Sequence, residues 1–320
     1  MPHFAYRAEL KGPGPLDKVD FSNPALAPLI RMTASNLQRE AREWAAAPPP
    51  GVQVRRQEIP VPGAPDLPCY VVEPREERSP VGLLYCHGGA FFLPVQAAAL
   101  RLAARYAAAL GARVVLPEYR LLPDFRAPAA FWDCLAAWAA LNEGRFGPVG
   151  TTLLYGESAG GALAAGVALY ARDHGLLRPG GISLIYPVLD DLRGSYPSRR
   201  SCDGAAWTLR SERFMWQAYL PDPAAMRELE AYLVPMRATD VGGLPSVYIE
   251  PQEFDILRDE ALAFAQRLEE AGVPVSRNLI QGSYHGFDAD THNPFVRRVI
   301  TQRLEALRLM LDNKGVEENL

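Results

Sequence analysis

The chain reads as an α/β fold: a mostly parallel central sheet flanked by helices, with a helical cap. Three observations predict it. Short apolar runs recur along the chain, separated by stretches long enough to be crossover connections. Between them lie Ala/Leu-rich helical patterns closed by glycine, as at Gly175 and Gly272. And the segment Gly156-Glu157-Ser158-Ala159-Gly160-Gly161 sits where a strand pattern turns into a helix pattern.

The elements follow in order. Residues 28–44 interleave apolar and charged side chains as a helix does, and Pro48-Pro49-Pro50 then forms a stiff linker that cannot continue it. Residues 52–60 and 67–74 alternate apolar and polar, as an antiparallel edge pair would. Residues 81–86 form a buried strand. The Ala-rich run 101–110, interrupted by arginines, is an amphipathic surface helix, and 114–116 is the next strand. Residues 151–155 are a short buried strand, and 159–173 a helix. Residues 182–186 continue the sheet. The pattern then breaks from Asp190 to about Tyr232. Strand 247–249, a helix over 256–271 and a last strand over 275–280 complete the chain. The expected organisation is an N-terminal helical segment (1–47), a first core part (48–189), an insertion (190–232) and a second core part (233–320).

Composition sets limits. A chain of 320 residues with 48% hydrophobic residues is long enough for one large core and a small appendage. The net charge of −4 argues against a nucleic-acid partner, which would want a basic patch. Cys69, Cys86, Cys134 and Cys202 are widely spaced, form no C-x-x-C pair and suggest no disulfide framework. Cys86 ends an apolar strand and reads as a small core hydrophobe. The first ten residues lack an apolar signal region, and no stretch approaches membrane-spanning length, so a cytoplasmic location without stable membrane insertion is expected. No His/Asp/Glu cluster has metal-ligand spacing, so neither metal nor cofactor is expected. A homodimer is compatible with the sequence.

The chemistry starts at Ser158. In G-x-S-x-G the serine sits at the apex of a sharp, strained strand-to-helix turn, and the glycines let strand and helix approach closely. A serine hydroxyl also needs a base and donors for the oxyanion. After strand 81–86 comes His87-Gly88-Gly89-Ala90. Its two glycines let backbone N–H groups point into a cleft, and with the N–H of Ala159 they suggest a three-donor oxyanion hole from Gly88, Gly89 and Ala159. Of five histidines, only His285 follows a strand end and precedes a Gly-Phe pair; it is the expected base. Asp255 follows strand 247–249 and gives the order Ser158, Asp255, His285. Asp259, one helical turn on, is the rival acid. Glu157 is read as structural. In the insertion, Trp207, Phe214 and Trp216 are candidate pocket residues. A satellite core under a long loop is the competing reading of this aromatic set.

These motifs together resemble the hormone-sensitive lipase-like esterases of the α/β-hydrolase superfamily. The resemblance runs from about Val81 to Phe287. His87-Gly88-Gly89-Ala90 is similar to H-G-G-G, and Gly156-Glu157-Ser158-Ala159-Gly160-Gly161 to G-[DE]-S-A-G-G. Tyr119-Arg120-Leu121-Leu122-Pro123-Asp124 resembles Y-R-L-A-P-E, with Pro128-Ala129-Ala130 and Asp133 following. Asp255-Ile256-Leu257-Arg258-Asp259-Glu260 resembles D-x-L-R-D-E, and His285-Gly286-Phe287 resembles H-x-F. The resemblance implies Ser158 as nucleophile, His285 as base, Asp255 as its orienter and His87 as a loop support. It also implies that the N-terminal helix and the 190–232 insertion pack together as a cap over the serine. Ala90 departs from the last glycine of H-G-G-G.

The expected activity is hydrolysis of short- to medium-chain carboxylic esters through an acyl-enzyme, the partner being a small-molecule ester. An amidase or lactonase would use the same triad. A non-catalytic small-molecule receptor is a third reading, but such receptors on this fold typically lose the histidine, and Ser158, Asp255 and His285 are all present.

Overall fold

The computed structural model describes residues 4–13, 27–76, 78–220, 226 and 228–317. Residues 1–3 and 14–26 of the expected N-terminal segment, and 221–225 and 227 of the expected insertion, lie outside the described residues.

An eight-stranded sheet carries the fold. Its strands are β1 (Val52–Ile59), β2 (Leu67–Pro74), β3 (Val81–Cys86), β4 (Arg113–Pro117), β5 (Thr151–Glu157), β6 (Ile182–Ile185), β7 (Val247–Glu250) and, at the far edge, β9 (Val275–Arg277). The spatial order is β1-β2-β4-β3-β5-β6-β7-β9. β2 pairs antiparallel with both β1 and β4, and every other pairing is parallel. Side chains alternate across the pleat, so each buried strand feeds two cores. Leu84, Cys86, Val115 and Leu154 face a core shared with helices α3 (Ala129–Asn142), α4 (Ala159–Asp173) and α6 (Arg258–Glu270). Leu83, Tyr85, Val114 and Leu153 face the other, shared with α2 (Ala97–Leu110) and α7 (Pro294–Glu317). The remaining long helices are α1 (Ala27–Ala46), which packs along α2, and α5 (Leu209–Tyr219). All four cysteines are free and buried.

The expected single strand over 275–280 is two strands. β9 ends at Arg277; Asn278 N–H then donates to the Ile249 carbonyl and Ile280 N–H to the Pro251 carbonyl, both at 3.0 Å. The chain thereby leaves the edge of the main sheet. It continues as β10 (Ile280–Tyr284), which pairs in parallel with β8 (Gln252–Phe254) in a separate two-stranded sheet. This small sheet matters for function, because its register sets Tyr284 opposite Phe254. The next residues along the two parallel strands are His285 and Asp255.

The N-terminal segment ties that sheet down. Arg7 N–H donates to the Gly282 carbonyl at 2.9 Å, and the Tyr6 ring packs edge-on against Phe254 and Tyr284. The Tyr6 hydroxyl also donates to the Ala205 carbonyl at 2.8 Å.

Candidate active site

Ser158 occupies the turn between β5 and α4 at φ 52° and ψ −124°, a conformation costing about 1–3 kcal/mol for a non-glycine residue. The surroundings hold it there. Ser158 N–H donates to the Ile185 carbonyl, and its own carbonyl accepts from Gly161 and Val188. The small residues of the motif are steric requirements. A Cβ on Gly156 would sit 2.2 Å from the Gly160 carbonyl oxygen, and one on Gly160 would sit 2.0 Å from that of Cys86.

Gly160 therefore allows the end of β3 to lie directly against α4, which brings the loop 87–90 beside Ser158. Its anchor is His87, which stacks on Tyr119 at 4.2 Å. The Tyr119 hydroxyl donates to the His87 carbonyl at 2.8 Å, and the neighbouring Arg120 is clamped by Asp133 through its backbone N–H and its guanidinium. Burial pushes the His87 ring down to about 4, so it stays neutral near pH 7. His87 Nδ1 lies 2.8 Å from the Gly88 carbonyl oxygen.

The loop's donors are aimed unequally. Gly88 N–H, expected to face an oxyanion, donates to Glu157 Oε1 at 3.4 Å. Glu157 also accepts from the Tyr85 hydroxyl at 2.7 Å, and burial, with Asp288 nearby, pushes its carboxyl up to about 7. The N–H groups of Gly89, Ala90 and Ala159 donate to no other protein group among the described residues. Gly89 and Ala90 both adopt positive φ, 121° and 54°, which turns this backbone along the cavity wall.

His285 and Asp255 arrive together from the β10–β8 pair. Ser158 Oγ lies 2.9 Å from His285 Nε2, and His285 Nδ1 lies 2.7 Å from Asp255 Oδ2. The other Asp255 oxygen accepts Leu257 N–H at 3.1 Å, fixing the carboxylate. Burial works against protonation of His285, but Asp255, joined by Glu212 and Asp288, outweighs it and holds the imidazole above its ordinary pKa. The rival acid Asp259 is occupied elsewhere. It accepts Ser198 N–H at 2.7 Å and pairs with Arg258 at 2.8 Å. Behind His285, the Tyr186 ring packs at 4.8 Å and its hydroxyl donates to Asp288 at 2.7 Å. Arg303, fully buried, bridges Asp288 and Glu250 at 2.6 Å each.

A cavity of about 300 Å³ opens over Ser158. Its floor holds Gly88, Gly89, Ser158 and His285, and its apolar walls come from Ile30 and Leu37 of α1, Leu102 of α2, and Trp207. Of the three aromatic candidates, Trp207 alone lines it. Phe214 stacks on Phe92 at 5.7 Å, and Trp216 is buried against Glu212 with its indole N–H donating at 2.7 Å. Both therefore belong to the core beneath the insertion. No motif or spacing in the sequence points to Tyr6, Tyr186, Glu212 or Arg303. Their roles rest on contacts between segments far apart in the chain. Among the described residues no group of three or more His, Cys, Asp or Glu is arranged to hold a metal, and no helix is long and apolar enough to cross a membrane.

The chain matches, over residues 83–289, a family model described as alpha/beta hydrolase fold. An arylesterase of Saccharolobus solfataricus is 27% identical over 245 residues, covering 76% of this chain and 78% of its own. Among solved structures, a bacterial heroin esterase superposes with a TM-score of 0.77 at 30% identity, over 90% of this chain and 98% of that one. An esterase from Pyrobaculum calidifontis gives 0.78 at 28% identity, over 93% and 99%.

Proposed function

Because the chain belongs to the alpha/beta hydrolase fold family, in its hormone-sensitive lipase-like branch, and is a carboxylic ester hydrolase, we propose that Ser158 is its nucleophile, His285 its base and Asp255 the orienter of that base. Ser158 Oγ attacks the ester carbonyl carbon while His285 Nε2 takes its proton. The oxygen of the tetrahedral intermediate is met by the N–H groups of Gly89, Ala90 and Ala159. His285 then returns the proton to the leaving alcohol, and an acyl-Ser158 remains. Water, deprotonated by the same imidazole, releases the acid. Asp255 keeps Nδ1 protonated so that Nε2 is the basic nitrogen throughout. The single observation carrying this reading is the unbroken chain of short contacts from Ser158 through His285 to Asp255.

The substrates we assign are small esters with short to medium acyl chains. The cavity volume of about 300 Å³ lies at the lower end of the roughly 300–1,000 Å³ typical of ligand pockets. α1 and the 190–232 insertion act as its cap: Ile30, Thr33 and Leu37 come from the first and Trp207 from the second. Purified protein assayed on p-nitrophenyl esters of graded acyl length tests this. Highest kcat/KM on short and medium chains is expected; a maximum on long chains would overturn the size argument.

A further inference from the structure

Glu212 is a carboxylate with no exposed surface, placed in the first turn of α5 behind the cavity wall. Its two oxygens are shared out between two indoles. Oε2 accepts the N–H of Trp207, and Oε1 accepts that of Trp216 at 2.7 Å. Arg199, whose charge acts on it, is committed to Asp190 and Glu260. A buried carboxylate is costly unless its hydrogen-bonding capacity is used, and a charged acceptor makes the stronger bonds. Burial here pushes the carboxyl up to about 7, while the two indole donors favour its charged form. Such an arrangement serves packing poorly, since an apolar side chain would fill the same space without desolvating a charge. What it does achieve is orientation. One of the two indoles, Trp216, is buried in the core and serves as a fixed reference; the other, Trp207, faces the cavity.

The Trp207 ring lies 6.2 Å from the His285 ring, tilted by 32°. If His285 delivers the proton to the leaving oxygen, the alcohol part of the ester must sit within hydrogen-bond reach of Nε2, on the side of Ser158 that carries His285. Trp207 and Tyr186, whose ring lies 4.8 Å from that of His285, are the large rings of the lining near it; Trp207 is the one that Glu212 holds. Ile30, Thr33 and Leu37 of α1 and Leu102 of α2 line the same cavity.

We propose that Glu212 is a positioning residue: it fixes the Trp207 indole as the wall of the leaving-alcohol side of the site, and the tether sets which alcohols are accepted. This inference rests on the catalytic roles proposed above for Ser158 and His285. The backbone supports the same geometry. The Thr208 hydroxyl caps α5 by accepting Ser211 N–H at 3.1 Å, and Glu212 lies one turn beyond this cap, which directly follows Trp207.

The test uses Glu212→Gln, Glu212→Ala and Trp207→Phe in the full chain. A glutamine keeps one acceptor but faces the second indole N–H with an amide donor. A phenylalanine keeps most of the ring and loses the tether. Two ester series are assayed: acetates of increasingly bulky alcohols, and p-nitrophenyl esters of increasing acyl length. A change in one pocket wall typically alters discrimination by about tenfold or more. In Trp207→Phe and Glu212→Ala, the kcat/KM ratio of bulky to small alcohols is expected to rise by about that factor, with Glu212→Gln between them and wild type. The acyl-length profile is expected to stay as in wild type, and tryptophan emission to shift to the red in both Glu212 variants. An unchanged alcohol ratio in Trp207→Phe and Glu212→Gln would overturn the proposal even if Glu212→Ala fails to fold. A change confined to the acyl series would overturn it too. Labelling of Ser158 by a serine-directed phosphonate in each variant separates the two levels. Normal labelling with an unchanged alcohol ratio defeats only the tether, whereas an active Ser158→Ala enzyme defeats the catalytic assignment.

Discussion

Gly160→Ala tests how the site is assembled. The new methyl carbon would lie 2.0 Å from the Cys86 carbonyl oxygen and 2.6 Å from that of His87. Both atoms are backbone, so no flexible side chain can absorb the overlap. Ordinary contact requires more than an extra ångström, and the piece free to give is the loop 87–90, because α4 is packed on its other side by α3. Moving catalytic donors by about 1 Å can cost about 100-fold in rate. Overpacking itself destabilises by about 1–3 kcal/mol. A matched control exists in the same helix. At Gly166 a Cβ would lie 2.0 Å from the Tyr232 carbonyl oxygen, an equal overlap away from Ser158. Gly160→Ala and Gly166→Ala should therefore lose comparable thermal stability, about 2–4 °C per kcal/mol for a chain of 150–250 residues and less for this longer one. Only Gly160→Ala should lose kcat per folded molecule, by about 100-fold. Thermal melts together with kcat, corrected for active sites by phosphonate titration, decide it. Wild-type kcat in Gly160→Ala, or equal kcat loss in both variants, would refute the idea that this contact positions the oxyanion loop.

Three further outcomes are expected. Asp255→Asn should lower kcat by about four orders of magnitude, as loss of the orienting acid does in serine hydrolases, while Asp259→Asn, whose carboxylate meets Ser198 and Arg258, should stay within about tenfold of wild type; the reverse ranking would move the role to Asp259. Because Asp255, joined by Glu212 and Asp288, holds His285 above its ordinary value of about 6.5, and the neutral ring is the active one, kcat/KM should rise with pH through a limb above that value. A limb at or below it would contradict the coupling. The sign for stability is the opposite: the raised histidine stabilises the fold fully below the unfolded-state pKa, and this contribution is lost as pH rises through the higher folded value. Arg303→Met would leave Glu250 and Asp288 buried without their cation and should cost about 3–5 kcal/mol by denaturant titration; a loss under 1 kcal/mol would show that the pair is not held by Arg303.

The parts of the site that the sequence made legible are those encoded locally. Gly156 to Gly161 reads as an elbow because steric demands at a single turn leave few residue choices, and the closeness of Gly160 to Cys86 is such a demand. His285 and Asp255 were legible as residues following strands. Their meeting depends on β8 and β10 leaving the main sheet, which was not readable: the pattern over 275–280 is apolar enough for one strand, and only the bonds to Ile249 and Pro251 show where it divides. Gly88 looked equivalent to Gly89 in sequence. Its N–H is claimed by Glu157, a neighbour in space from another strand end. Phe214 and Trp216 carried the right chemistry for a pocket, but helical geometry and the Phe92 and Glu212 contacts turn them into the core. The helix expected over 28–44 is present as Ala27–Ala46, since its amphipathic period is strong, though the sequence could not show that Ile30 and Leu37 reach the cavity.

The most direct test of the account is the identity and necessity of the nucleophile. A serine-directed phosphonate should inactivate the enzyme in proportion to one modified residue per chain, and peptide mapping should place the adduct on Ser158. Ser158→Ala should fold with an unchanged melting profile, take up no label and lose about four or more orders of magnitude in kcat. An adduct on another serine, or a tenth of wild-type kcat surviving in Ser158→Ala, would contradict it.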